Sequence, residues 1–157
     1  MGVVHSLLDR FRTSEDSRMS TQRFLRSSLR FAVVGASADR QKYGNRVLRA
    51  YLQHNLTAVP VHPKLEEVEG VRVQQLSELD NPEEWGVSII TPPKASLGVV
   101  QNAYELGFRR FWLQPGAESK EVLEEASKLE GIELIAGGPC VLVSLARGEH
   151  EPASTKL

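Results

Sequence analysis

The sequence predicts an α/β protein built on a doubly wound, mainly parallel five-stranded sheet with helices on both faces. Two observations carry this. Short apolar runs alternate with stretches of helical period along most of the chain, as the crossovers of a parallel sheet require. Each run then breaks into turn-forming residues: Gly35-Ala36-Ser37, His62-Pro63-Lys64, Thr91-Pro92-Pro93, Gln114-Pro115-Gly116 and Gly137-Gly138-Pro139.

The first run, Phe31 to Val34, lies between polar neighbours and reads as a buried parallel strand. Gly35 follows it, free to adopt backbone angles or approach a ligand as no residue with a Cβ can. A basic loop with Arg40, Lys42 and Tyr43 leads to a helix from about Asn45, whose Val47, Leu48, Tyr51 and Leu52 share one face. That helix would aim its free N–H groups and positive dipole end back at the loop. The dinucleotide fingerprint G-x-G-x-x-G would need glycines at Ser37 and Arg40, and the chain has neither.

The second strand is predicted over Thr57 to Val61. Pro60 cannot donate a ladder hydrogen bond, so irregularity is expected near its carboxyl end. Residues 64–85 are less regular, with an extended piece at Val71 and Val73 and a turn at Asp80-Asn81-Pro82. A third long strand, Val87 to Thr91, precedes a helix with Leu97, Val100, Ala103, Tyr104 and Leu106, closed by Gly107. The fourth, Arg110 to Gln114, places Trp112 mid-strand in the core, and its helix carries Val122, Leu123, Ala126 and Leu129 before Gly131. The fifth, Ile132 to Ala136, runs towards Cys140 with no long helix expected after it.

A chain of 157 residues, 41% hydrophobic and 25% charged, is long enough for one soluble domain with a core. Its net charge of −1 argues against general nucleic-acid binding, and no apolar run approaches the length of a transmembrane segment. The single Cys140 excludes an internal disulfide; nothing points to secretion, and a cytoplasmic location is expected. The expected organisation is an N-terminal extension with a short helix (1–28), a main domain (29–147) and a C-terminal tail (148–157).

Residues 1–30 hold six arginines against Asp9, Glu15 and Asp16, and three readings fit them. Met1 to Ser6 matches an N-myristoylation pattern. The Arg- and Ser-rich, acid-free stretch from Met19 has the composition of a mitochondrial presequence, which leaves that compartment open. Alternatively, Phe24, Leu25 and Leu29 form one face of a short helix that covers an edge of the core.

In a doubly wound sheet the strands point their carboxyl ends to one side, so the five turn-rich loops form one rim at the switch point. No Asp or Glu sits at a strand end, no Ser-His-Asp arrangement occurs, and His62 is the only rim histidine. This favours binding over chemistry, and no residue is assigned to catalysis or to a metal. An NAD site places an acid after the second strand; here the chain reads Val61-His62-Pro63-Lys64, which favours a ribose phosphate, as in NADP or coenzyme A.

Five ordered motifs between Arg30 and Leu145 carry a resemblance: VVGAS at Val33 to Ser37, PVHPK at Pro60 to Lys64, TPP at Thr91 to Pro93, WLQPG at Trp112 to Gly116, and Cys140. The chain resembles the small stand-alone CoA-binding domain family, related to the N-terminal domain of the succinyl-CoA synthetase α subunit. The resemblance implies a Rossmann-like fold and a small-molecule ligand, coenzyme A or an acyl-CoA. It does not imply ligase activity, because the related ligase works through a phosphohistidine in a second domain. By carry-over, Gly35, Ala36 and Ser37 would contact the pyrophosphate, and Arg40, Lys42 and Lys64 would meet phosphate charges. Pro63 with Thr91, Pro92 and Pro93 would wall the adenine and pantetheine, Gln114 and Gly116 would line the far side, and Tyr43 and His62 complete the set. Two other readings stay open: an NADP-dependent oxidoreductase or redox sensor on the same fold, and an interaction module whose nucleotide site has decayed. Cys140 reads either as a small buried hydrophobe or as a thiol within reach of bound CoA.

Overall fold

Five runs of extended backbone lie side by side, all parallel, in the order Ala58–Val61, Arg30–Val34, Trp85–Ile89, Arg110–Leu113 and Glu133–Ile135. The structure is a computed structural model and describes residues 14–152. Along the chain the elements are α1 (Ser14–Ser27), β1 (Arg30–Val34), α2 (Tyr43–Gln53), β2 (Ala58–Val61), β3 (Glu67–Val68), β4 (Val71–Arg72), β5 (Trp85–Ile89), α3 (Pro93–Glu105), β6 (Arg110–Leu113), α4 (Lys120–Ser127), β7 (Glu133–Ile135) and α5 (Val141–Ala146). β3 and β4 form a separate antiparallel hairpin, and single 3₁₀ turns occupy Leu76–Glu78 and Pro82–Glu84. The α/β class and the five-stranded parallel sheet are as the sequence predicts.

Side chains alternate across each strand, so the sheet feeds two cores. Ala32, Val34, Val87, Ile89, Phe111 and Leu113 pack against Val100 and Ala103 of α3 and Val122 and Ala126 of α4. Phe31, Val33, Ala58 and Trp112 pack against Val47, Leu48 and Tyr51 of α2, Phe24 and Leu25 of α1 and Leu145 of α5. Two buried polar groups find partners within these layers: Tyr51 Oη and Ser88 Oγ lie 2.6 Å apart, and Trp112 Nε1 donates to the Pro139 carbonyl.

The N-terminal helix joins the second core through Phe24. Its ring lies against Gly86 of β5, where a Cβ would stand 2.6 Å from Phe24 Cζ, and it meets Trp112 edge to face at 5.3 Å. Leu25 is buried beside it. Leu29 is not: α1 ends at Ser27, the Leu29 N–H donates to the Glu84 carbonyl, and its side chain is 65% exposed. The expected three-residue face is therefore a two-residue one. The myristoylation motif lies outside the described residues. No described helix is long and apolar enough to cross a membrane.

Two local expectations are corrected. β2 stays regular through Val61, because the Phe31 N–H donates to the Thr57 carbonyl; the alternation this sets turns Val59 and Val61 to β1 and Pro60 outward. Pro60 loses no ladder bond there, and its carbonyl accepts the Gln74 N–H. β5 starts and ends two residues earlier than the apolar run predicts, because Trp85 pairs with Arg30 and donates Nε1 to the Asp80 carbonyl.

Candidate functional site

The chain leaves β1 towards β2 on one side and returns to β5 on the other, so the switch point lies between β1 and β5. A cleft of about 620 Å³ opens at the carboxyl ends of these strands. Val34 and Gly35 end β1 at its floor, and Val61, His62 and Pro63 form the β2 side. Thr91 and one face of α3, with Ala95, Gly98, Val99 and Asn102, form the opposite wall; Gln75, Leu76 and Ser77 close it.

Gly35 is required by its backbone. Its φ is +95°, and a Cβ would lie 3.1 Å from the carbonyl carbon of Ile90 and 3.2 Å from the Thr91 nitrogen. The Ile90 N–H donates to the Val34 carbonyl immediately beneath, so the first loop leaves the sheet directly above the junction of β1 and β5.

Beyond Gly35 the loop folds on itself. Ser37 Oγ accepts the Asp39 N–H, Asp39 Oδ1 accepts the Gln41 N–H, and the Asp39 carbonyl accepts the Lys42 N–H. Asn45, fully buried in the first turn of α2, holds the loop down by donating Nδ2 to the Ser37 carbonyl at 2.8 Å. Its Oδ1 accepts Arg49 Nε, and Arg49 Nη2 donates to the Arg40 carbonyl. α2 starts at Tyr43 from an extended Lys42, with no side-chain cap and no acid in its first turn. Its amino end thus offers free N–H groups to an anion.

The cations around the loop differ in their engagement. Arg40 Nε lies 3.5 Å from Glu69 Oε2 at the tip of the β3–β4 hairpin, and Asn45 Nδ2 reaches the same oxygen at 3.2 Å. Lys42 and Lys64 are exposed. His62 shapes its own turn: Nδ1 accepts the Lys64 and Leu65 N–H groups at 3.0 Å each, which puts any neutral-ring proton on Nε2. Its carbonyl accepts Gln75 Nε2 at 2.6 Å, tying β2 to the 3₁₀ segment. Across the cleft, Ser96 fastens the start of α3, bonding to Thr91 Oγ1 and to the Thr91 and Pro92 carbonyls.

A second corner forms where α2, β6 and the loop after β7 meet. Tyr43 Oη donates to Gln114 Oε1 at 3.1 Å and lies 2.6 Å from Cys140 Sγ. Gln114 is fully buried, and its Oε1 also accepts the Val141 N–H. Burial and the contact with Cys140 push the Tyr43 phenol well above its ordinary pKa, so it stays protonated across the working range.

Of the residues singled out in the sequence, Gly35, His62, Pro63 and Thr91 line the cleft, and Ala36, Ser37, Arg40 and Lys42 build the loop that leaves its floor. Tyr43 and Gln114 meet in the second corner, while Lys64, Pro92, Pro93 and Gly116 lie outside the cleft wall. Missed were Gly44, Asn45, the segment 75–77 and the α3 face. The small residues Ala95 and Gly98, with Asn102 at helical spacing, were the available signal for that face.

The model of the CoA binding domain family matches residues 29–146. The chain belongs to this family. It is 28% identical over 109 residues to the uncharacterized protein YneT of Bacillus subtilis, covering 69% of this chain and 80% of that one. A conserved hypothetical protein from Pyrococcus furiosus is 36% identical, with a TM-score of 0.67 over 73% of this chain and 97% of its own. A hypothetical protein from Pyrococcus horikoshii is 29% identical, with a TM-score of 0.69 over 86% of this chain and 91% of its own. The fold alone is shared with an acetyl-coenzyme A synthetase of Ca. Korarchaeum cryptofilum, 24% identical, TM-score 0.59, of which the match covers 26%.

Proposed function

We propose that this protein binds coenzyme A or an acyl-CoA at the carboxyl edge of its sheet, as a nucleotide-binding domain without a catalytic role. The observation that carries the reading is the cleft at the switch point, floored by Gly35 and bordered by a loop that ends at the uncapped start of α2. Family membership supports the same ligand. In this reading the Gly35-Ala36-Ser37 backbone takes the pyrophosphate. Ser37 adds its hydroxyl, whose oxygen already accepts the Asp39 N–H and whose proton is free to donate. Arg40, Lys42 and Lys64 meet the phosphates from the loop margins. Pro63 and Thr91 wall the adenine and the pantetheine arm, with Pro92 and Pro93 in the turn beyond the wall and His62, Tyr43, Gln114 and Gly116 along the same rim.

Calorimetric titration with CoA, dephospho-CoA, NADP and NAD tests the assignment. CoA is expected to bind, and more tightly than dephospho-CoA by about fivefold, the scale of an exposed charge contact. Preferential binding of NADP would move the protein to the oxidoreductase or redox-sensor class. Absence of binding by all four would leave an interaction module.

A further inference from the structure

The tip of the β3–β4 hairpin holds a residue that its turn does not favour. Val68 pairs with Val71, so Glu69 and Gly70 form a two-residue turn, and both take positive φ, +50° and +77°. Asn, Asp or Gly suits the first of these positions; a glutamate enters the left-handed region at a cost. The core does not ask for it either. Val68, buried in the second core, anchors the hairpin, and the Gln74 N–H ties the chain after it to the Pro60 carbonyl. The Glu69 side chain turns instead to the loop between β1 and α2.

There Glu69 Oε2 lies 3.5 Å from Arg40 Nε and 3.2 Å from Asn45 Nδ2. Asn45 is fully buried and its Nδ2 also donates to the Ser37 carbonyl, so this half of the docking point is fixed. Arg40 differs. Its side chain is 65% exposed against 23% for Glu69, and Arg49 holds its carbonyl, not its guanidinium. The guanidinium can therefore turn away while the carboxylate stays with Asn45. Asp39, the acid within the loop itself, is engaged with the Gln41 N–H.

We propose that Glu69 is an internal competitor for the ligand: its carboxylate occupies Arg40 in the empty protein, and a phosphate of bound CoA takes Arg40 from it. The inference rests on the CoA reading above. An acid beside the loop opposes the negative charge that the ligand brings, so Glu69 lowers affinity and in return sorts ligands by charge. A free carboxylate offers Arg40 no more than Glu69 does and gains nothing by the exchange. A phosphate monoester brings more charge and a third oxygen, and wins it.

Calorimetric titration of the full chain and its variants with CoA tests this. Glu69→Gln keeps an oxygen for Asn45 and removes the charge; it is expected to bind CoA about threefold more tightly than wild type, the scale of a partly exposed ion pair. Glu69→Asn, a residue at ease in the left-handed position, is expected to gain similarly with no fall in unfolding midpoint, which separates the effect from damage to the hairpin. In an Arg40→Gln background the further change Glu69→Gln is expected to bring no gain. Weaker or unchanged CoA binding by either Glu69 variant overturns the inference and leaves the CoA reading standing, because Glu69 would then only brace the loop. A gain that persists without Arg40 overturns it as well. Failure of wild type and of every variant to bind CoA strikes the CoA reading itself, and the inference falls with it.

Discussion

The carbonyl oxygen of Gly35 stands where a Cβ on Gly44 would have to be. The end of β1 and the first turn of α2 are thus in backbone contact, and that contact closes the first loop into a tight arch despite the missing second and third fingerprint glycines. Gly44→Ala is expected to push α2 away from Gly35, costing about 1–3 kcal/mol of stability and weakening CoA binding. Denaturant unfolding and calorimetry check both effects. A variant with native stability would mean that the arch yields without strain.

Gly98 offers the converse test, because it lines the cleft from α3 and nothing lies within 4 Å of where its Cβ would stand. Gly98→Leu is expected to leave stability unchanged or raised by up to about 1 kcal/mol, since leucine favours a helix over glycine. The same side chain should reduce affinity for CoA by filling the cleft. Undiminished binding in calorimetry would put the ligand elsewhere. Gly35→Val is a poorer probe: its positive φ and its contact with residues 90 and 91 would disturb the sheet edge as well as the ligand.

Phe24 is fully buried against Gly86 and Trp112, which makes α1 part of the packed structure. Phe24→Ala is expected to cost about 3–5 kcal/mol, the usual range for emptying an aromatic site in a core. Urea denaturation of the full chain measures it. A loss below about 1 kcal/mol would mean that α1 docks only weakly.

His150 sits edge to face with His54 at 4.9 Å, and its Nδ1 is buried without a partner among the described residues. Burial first, and the nearby His54 second, lower its pKa from the ordinary 6.5, with Glu151 opposing. The unfolded chain therefore takes up a proton near pH 6.5 that the folded chain resists, so the contribution of His150 to stability is lost as pH falls through that value. Relative to wild type, His150→Gln should gain in unfolding midpoint between about pH 7 and 5. Glu118, whose pKa burial raises, contributes with the opposite sign but is present in both proteins and cancels from the difference. A difference that does not change with pH would remove His150 as the cause.

Much of this molecule is local and could be read from the chain. Phe31 to Val34, Val87 with Ile89, and Phe111 to Leu113 are apolar because both faces of a parallel strand are buried. Gly35 follows β1 because only glycine takes that backbone angle comfortably, and the turns after each strand mark one rim. The family resemblance rested on those same short motifs.

What the sequence by itself determined was therefore the order of strands and helices, the faces that enter the core and the edge of the sheet where a ligand site belongs. Only the tertiary structure decided which of those rim residues meet. Tyr43 finds Gln114 and Cys140 across 71 and 97 residues of chain, α3 and the segment 75–77 converge on Gly35, and of the four residues expected to wall the ligand Pro63 and Thr91 line the cleft while Pro92 and Pro93 do not. The reason is physical: periodicity and turn chemistry act over a few residues, whereas a cleft is set by the spacing of strands and the close approach of helices. At Gly35 and Gly44 that approach depends on backbone atoms that no side-chain pattern reports.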